Sequence, residues 1–186
     1  IGAYANNGDG SQLFNLTSRG HVRIYSWDGS AWNQQGSDID GEAAYDYSGI
    51  SVSIDSDGSH VAIGATGNDG NGSYSGHVRI YYWDGSAWKQ VGNDIDGEAA
   101  YDLSGQSVSI DSDGSHVAIG ATGNGSYTGH VRIYSWDGDA WNQVGSDIDG
   151  EAASDYSGWS VSMDSDGSHV AVGAYLNDGT ASNAGH

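Results

Sequence analysis

The residues of this sequence best suited to chemistry lie in an acidic loop that occurs three times. The loop reads DIDGEAAYD from Asp38 to Asp46 and from Asp94 to Asp102, and it returns as DIDGEAASD from Asp147 to Asp155. Its carboxylates stand at places one, three, five and nine, which resembles the spacing of calcium loops, where alternate residues point at one ion. The calcium hypothesis therefore names these ligands: Asp38, Asp40, Glu42, Asp46, Asp94, Asp96, Glu98, Asp102, Asp147, Asp149, Glu151 and Asp155.

The same loop has a simpler interpretation as a polar connection between structural units. Its glycine, Gly41, stands at place four, whereas calcium loops place it at six, and the ligand at place five is the longer Glu42. Aspartates also form turns with their own backbone. Ile39 would then serve as an apolar plug between units. Both interpretations stay open, and calcium is the one cofactor that the sequence suggests.

The remaining ionisable and aromatic residues also recur at fixed positions. The histidines fall at two of them, before two different predicted strands, and no cysteine accompanies them to favour zinc, so we expect a structural role: His21, His77, His130 and His186, then His60, His116 and His169. Arg23, Arg79 and Arg132 recur once per unit, and each is expected to pair with a carboxylate of the same or the next unit. Because catalysis needs nonequivalent groups in one pocket, this regularity indicates that the chain is not an enzyme.

Tryptophans and glycosylation sequons complete the candidate sites. Trp27 and Trp32 flank an Asp-Gly turn and recur with it, which indicates packing at a sheet edge or, alternatively, stacking on sugars. Asn-X-Ser/Thr sequons begin at Asn15, Asn71 and Asn124, each five residues before a Gly-His pair. Such acceptors belong on exposed loops of secreted proteins. We therefore predict N-glycosylation at these three residues, on loops that share one rim.

The composition limits the class of partner. The chain has 186 residues, a formal net charge of −20, and no cysteine. That charge repels phosphates, so nucleic acid is excluded as a partner. No apolar run approaches the roughly 20 residues of a membrane span. The chain begins at Ile1 without an initiator Met or a signal peptide, which suggests processing or a longer parent.

The elements that must position these residues form a tandem repeat. GHVRIY begins at Gly20, Gly76 and Gly129, and it opens three cores of equal length at residues 20–65, 76–121 and 129–174. A partial unit covers residues 1–19, and a further one begins at 185–186. Each core predicts four short strands, in the first core at His21–Trp27, Ala31–Gln35, Ser51–Asp55 and His60–Ala65.

Four antiparallel strands in a unit of this size predict the blade of a β-propeller, with a β-solenoid as the main rival. The fold class is therefore all-β, in tandem four-stranded antiparallel blades that make up a single segment over residues 1–186. We count 13 strands, a little over three blades, whereas a closed ring takes about 4–8. The chain is expected to be a segment of a longer array, or a partial propeller that assembles with its own copies.

The strand pair SGISVSIDSDGSHVAIGA, from Ser48 to Ala65, resembles the FG-GAP-type blade of integrin-α-like propellers. Ser48-Gly49 stands in place of the Phe-Gly pair, and Gly64-Ala65 in place of Gly-Ala-Pro, with Thr66 instead of proline. The resemblance implies an extracellular binding or adhesion propeller that often holds calcium between these two strands. Here that connection, Asp55–Ser59, is too short for a ligand loop, so the family's calcium site does not carry over.

These observations favour an extracellular or cell-surface protein with a structural or adhesive role. Near-identical units give a regular surface suited to a filament or appendage. The alternative is a calcium-dependent lectin or adhesin that binds carbohydrate or protein. The expected partners are copies of the chain or further repeats of it, with glycans or cell-surface proteins as further candidates.

Overall fold

The computed structural model describes residues 1–5, 18–179 and 184–186. Asn15, one of the predicted glycosylation sites, lies outside these residues. The described part of the chain is all-β, as predicted, with one short helical turn, α1 (Asn124–Tyr127), in which Gly125 and Ser126 have left-handed backbone angles. Within that part, no helix is long and apolar enough to cross a membrane.

The strands lie close to their predicted positions, because β-branched and aromatic residues favour strands and Asp-Gly pairs favour hairpin turns. The described residues form sixteen strands: β1 (His21–Val22), β2 (Tyr25–Trp27), β3 (Trp32–Gln34), β4 (Ile39–Asp40), β5 (Ser51–Ile54), β6 (His60–Ala65), β7 (His77–Trp83), β8 (Trp88–Gln90), β9 (Ile95–Asp96), β10 (Ser104–Ile110), β11 (His116–Ala121), β12 (His130–Trp136), β13 (Trp141–Gln143), β14 (Ile148–Asp149), β15 (Ser157–Met163) and β16 (Val170–Ala174).

The grouping of strands into sheets differs from the sequence prediction. One sheet runs β5-β6-β7-β8 with β9 on β7, and the next runs β10-β11-β12-β13 with β14 on β12. Each blade therefore joins the last two strands of one core to the first strands of the next. The physical reason is pairing across the variable loop, where β6 and β7 stay in register from His60↔Tyr82 to Ala65↔His77. The acidic loop, in contrast, carries the chain from one sheet to the next.

Half-sheets flank the two full blades. Before them, β1 pairs with β4 and β2 with β3, and after them β15 pairs with β16. Each half-sheet contains strands that correspond to part of a full blade. The described sheets do not close into a ring.

The blades pack closely through glycine and serine. The Ser51 hydroxyl donates to the Gly105 carbonyl at 2.7 Å, and Ser107 repeats this bond to Gly158 at 2.8 Å. A Cβ atom built on Gly64 would lie 2.1 Å from the Gly105 oxygen, so only glycine permits this approach. The glycines that carry the family resemblance are therefore the points at which successive blades touch.

The strand directions place two kinds of loop on opposite rims. The variable loops (66–76 and 122–129) and the acidic loops share one rim, while the Asp-Gly hairpins lie on the other. Backbone bonds join the two loops of the first rim: the Tyr101 amide donates to the Ser73 carbonyl at 2.8 Å. The described sequon residues, Asn71 and Asn124, therefore lie on the same rim as the acidic loops.

Candidate functional site

The first carboxylate of the acidic loop forms an ion pair with the arginine of its own unit. Arg23 donates to both oxygens of Asp38 at 2.8–2.9 Å, and Arg79 binds Asp94 in the same way. Burial alone would raise the pKa of Asp94, but the hydrogen bonds from Arg79 and then Gln90 lower it. The predicted pairing of arginine with a carboxylate of the same unit is confirmed at these two positions.

The carboxylate at place five of the loop reaches the arginine of the following unit. Glu42 contacts Arg79, and Glu98 lies 3.5 Å from Arg132. Arg79 therefore bridges two units, with Asp94 on one side and Glu42 on the other. Burial alone would lower the pKa of Arg79, but its hydrogen bonds to Asp94 and Glu42 raise it. This arrangement supports the interpretation of the acidic loop as a connector.

The carboxylates at places three and nine of the loop have surroundings that differ from these. Asp40 and Asp96 lie in strands β4 and β9, and burial raises the pKa of Asp96. The ninth-place aspartates are buried and accept a hydrogen bond from a backbone amide of their own loop, as Asp102 does from Ala99 at 2.8 Å. The same turn recurs at Asp46 and Asp155.

The acidic loop thus gives its carboxylates at places one, five and nine separate partners, while the place-three aspartates Asp40 and Asp96 lie in short strands. One calcium ion bound by all four would have to displace an arginine and open a buried turn. The apolar plug of the connector interpretation is present, since Ile39 and Ile95 are buried in the two core clusters. Calcium binding at these loops stays a prediction.

A mixed cluster, which the sequence analysis did not anticipate, forms between units. Ligand atoms of Glu42, His77 and Asp94 lie within 4.8 Å of one another, and Glu98, His130 and Asp147 repeat the arrangement. His77 and His130 are 3% and 1% exposed. Burial, and then the neighbouring arginine, lowers the pKa of each histidine. The sequence signal for this cluster is the constant spacing of 17 residues between the histidine and the aspartate at place one of the loop in each unit.

The second set of histidines lies in the hairpins that join β5 to β6, β10 to β11 and β15 to β16. His116 Nδ1 lies 2.8 Å from Asp111 Oδ2, which also accepts a bond from the Ser115 hydroxyl. The Asp113 carboxylate accepts the Ser115 amide within the same turn. These hairpin carboxylates are held by their own five-residue turns, so this structure does not fit the calcium loop that the resemblance implies.

The tryptophans pack between units. Trp88 Nε1 donates to the Gln35 carbonyl of the preceding unit at 2.9 Å, and Trp141 donates to Val91 at the same distance. Trp32, the equivalent residue of the first unit, is 66% exposed. The tryptophans of the two full blades therefore have the packing role predicted for them, and sugar stacking stays open at Trp27 and Trp32.

A row of tyrosines lies on the loop rim and was missed by the sequence analysis. Tyr74 and Tyr101 stack with ring centroids 6.1 Å apart, and Tyr127 lies 5.2 Å from Tyr156. All four have positive φ angles of 55–69°, which are strained for bulky residues. Three of them are at least 40% exposed. The row forms an aromatic surface beside the acidic loops.

The two described sequon residues have their amide groups engaged. Asn71 Nδ2 donates to the carbonyls of Gly97 and Glu98 at 3.0 and 2.8 Å, and Asn124 Nδ2 donates to Asp102 at 3.3 Å. A glycan on Asn71 would replace one of these bonds. Glycosylation at Asn15, Asn71 and Asn124 stays a prediction.

Antiparallel sheets with a path of four strands, and a short fifth strand on the third, that pack face to face through glycine define β-propeller-type blades. A family model described as FG-GAP repeat matches residues 32–81 and 146–186. This match confirms the resemblance to FG-GAP repeats that the strand pair at Ser48–Ala65 predicted. The first match runs from β3 to β7 and so crosses the core boundary, as the observed sheets do. A search of curated proteins found no match. FG-GAP repeats are typical of extracellular or cell-surface proteins with adhesion or binding roles.

Proposed function

We propose that this chain is an extracellular structural and adhesive repeat protein that extends by adding blade upon blade, as a cell-surface filament or appendage would. The observation that carries the proposal is an interface that recurs between successive units. The serine–glycine bond and the indole–carbonyl bond each occur twice, with lengths that agree within 0.1 Å. Identical contacts at each step are what an extendable array requires.

The exposed faces at the two ends of the array are compatible with the packing of a further blade. Ala171 of β16 is exposed, whereas its equivalents Ala62 and Ala118 are fully buried by the next blade. At the other end, Val52 and Ile54 are 39% and 48% exposed, whereas their equivalents in β10 are nearly covered. These two residues line a groove of about 500 Å³ with Trp32 and Val22. Both faces would suit another repeat, in the same chain or in another copy.

The cell surface of the source organism provides the test of location and role. Immunogold electron microscopy with an antibody to the loop rim should label surface filaments or appendages, and deletion of the gene should remove them. Labelling confined to the cell interior, or an unchanged surface after deletion, would refute the proposal. The proposal includes no catalytic activity, because the ionisable clusters recur in each unit as ion pairs.

The tyrosine row favours a second candidate function, the binding of carbohydrate. Exposed aromatic rings beside carboxylates offer stacking surfaces and hydrogen-bond acceptors to a sugar. A glycan array probed with the chain should then give signals that Tyr101→Ala abolishes, and calcium dependence would appear as loss of signal with a chelator. Signals equal for the variant and the parent chain would exclude this surface.

A further inference from the structure

His130 is a buried histidine whose ring nitrogens have no hydrogen-bond partner. It is 1% exposed, and neither Nδ1 nor Nε2 has a partner among the described residues. Leaving a buried polar group unsatisfied costs about 1–3 kcal/mol, so such a group needs an explanation. His77, its equivalent in the preceding blade, has an unpartnered Nδ1 as well.

The nitrogen of His130 is directed at two carboxylates. Its Nδ1 lies 3.6 Å from Asp147 Oδ2. The Glu98 carboxylate, which belongs to the loop leaving the preceding blade, completes a group whose ligand atoms lie within 4.8 Å of one another. Two ligands of one tetrahedral zinc ion are separated by about 3.3 Å when each lies about 2.0 Å from the metal. The His130–Asp147 separation is close to that value.

From this geometry we propose that Glu98, His130 and Asp147 bind a divalent transition-metal ion, of the zinc or manganese class, between the two full blades. One imidazole and two carboxylates suit such ions, whereas calcium and magnesium prefer all-oxygen shells. Water would fill the remaining positions. The site differs from the acidic-loop hypothesis, because its ligands come from two successive units and include a histidine.

The arginines distinguish this site from its equivalent in the first blade. Arg79 binds both carboxylates of the Glu42–His77–Asp94 cluster. Arg132, in contrast, donates to the Asp96 carbonyl at 3.0 Å and lies 5.6 Å from the Tyr134 ring centroid. Of the two cluster carboxylates it contacts only Glu98, at 3.5 Å. Asp147 Oδ1 accepts a hydrogen bond from Gln143, which leaves Oδ2 facing His130. An ion can therefore enter the second cluster without breaking an arginine–aspartate pair, and the first cluster is a matched control.

The test is a titration of the chain with Zn²⁺ and Mn²⁺, followed by NMR of the histidine rings. Zn²⁺ should shift the Nδ1 resonance of His130, and Mn²⁺ should broaden the signals of His130 at lower concentration than those of His77 or the exposed His169. Calorimetry should give one strongest site per chain. Glu98→Gln and Asp147→Asn should each weaken metal binding at this site at least about tenfold. Replacing a residue that only supports a metal ligand already weakens metal affinity by that factor.

Because a chain with a net charge of −20 also binds cations at its surface, the experiment needs two controls. Glu42→Gln and Asp94→Asn remove the same charges from the arginine-blocked cluster and should leave the strongest site unchanged. Glu98 is half-exposed, so its replacement should not impair folding, which circular dichroism checks. The proposal is overturned if neither ion perturbs His130. It is also overturned if binding is spread over the acidic surface and is equally affected by both pairs of variants.

Discussion

Gly120→Ala tests how blades are held together. A Cβ at this position would lie 2.1 Å from the Gly158 carbonyl oxygen and 2.5 Å from the Ser107 hydroxyl, which is closer than real Cβ contacts allow. The two blades would have to separate, and the Ser107–Gly158 hydrogen bond would stretch. Overpacking costs about 1–3 kcal/mol and a lost hydrogen bond about 0.5–1.5 kcal/mol, so we expect a loss of about 2–4 kcal/mol in the free energy of unfolding.

Urea denaturation measures this loss, and Gly173→Ala is its matched control. Gly173 occupies the same strand position in β16, and its Cβ would meet the Ser160 hydroxyl at 2.4 Å; the next nearest atoms among the described residues, at 3.7 Å, also belong to Ser160. Because a serine side chain can rotate, we expect a change below about 1 kcal/mol. Both variants should be measured at a concentration at which the chain is monomeric. Equal destabilisation of the two variants would refute the account of blade contact.

Three further predictions concern the interface, the hairpins and the acidic loops. Trp141→Phe should lower the free energy of unfolding by about 1 kcal/mol, since it removes the bond to Val91, whereas Trp32→Phe at the exposed equivalent should be nearly neutral in the same urea experiment. Stability measured by urea at several pH values should be constant near neutrality and fall below about pH 4. Hydrogen bonds from the backbone of each hairpin hold the pKa of its aspartate below the unfolded value of about 3.9, so their contribution is lost as pH falls through the folded-state pKa. Joint replacement of Asp28, Asp84 and Asp137 by Asn should make this loss shallower, and an equally steep loss in the variant and the parent chain would contradict the prediction. The calcium hypothesis predicts that a chelator lowers the melting temperature by mass action; identical curves with and without chelator would favour the connector, and the difference should vanish on joint replacement of Asp40, Asp96 and Asp149.

Local structure could be predicted from the sequence because its determinants are local. The alternation in Ser51–Ile54 and the small and apolar residues of His60–Ala65 predict covered strands, and Asp-Gly pairs predict the turns between them. The repeat also indicates which residues are equivalent. These features explain why the strand positions and the family resemblance are confirmed.

The partition of strands into blades could not be predicted in the same way. Each strand has two plausible neighbours along the chain, and the choice depends on whether the variable loop or the acidic loop makes the turn within a sheet. The changes of length in the variable loop predict a boundary between units at that loop. In the structure that loop lies at the rim within a blade, outside the two core clusters.

The candidate site depends on contacts between units, which a repeat pattern alone does not reveal. Arg79 pairs with Asp94 of its own unit and also with Glu42 of the unit before, and His130 meets Glu98 across the next unit boundary. Spacing along one acidic loop does not reveal these contacts between units. The strained tyrosines also escaped prediction, since positive φ at Tyr101 depends on the loop packed beside it.

The most direct test of the central claim, that the repeated blade interface builds an extended array, is sedimentation velocity of this chain over a range of concentrations. The exposed face of β16 and the apolar groove beside Val52 should associate, so the sedimentation coefficient should rise with concentration. Gly173→Leu, which places a bulky side chain on that face, should keep the chain monomeric. A parent chain that stays monomeric at all concentrations, or a Gly173→Leu variant that assembles equally well, would contradict the account.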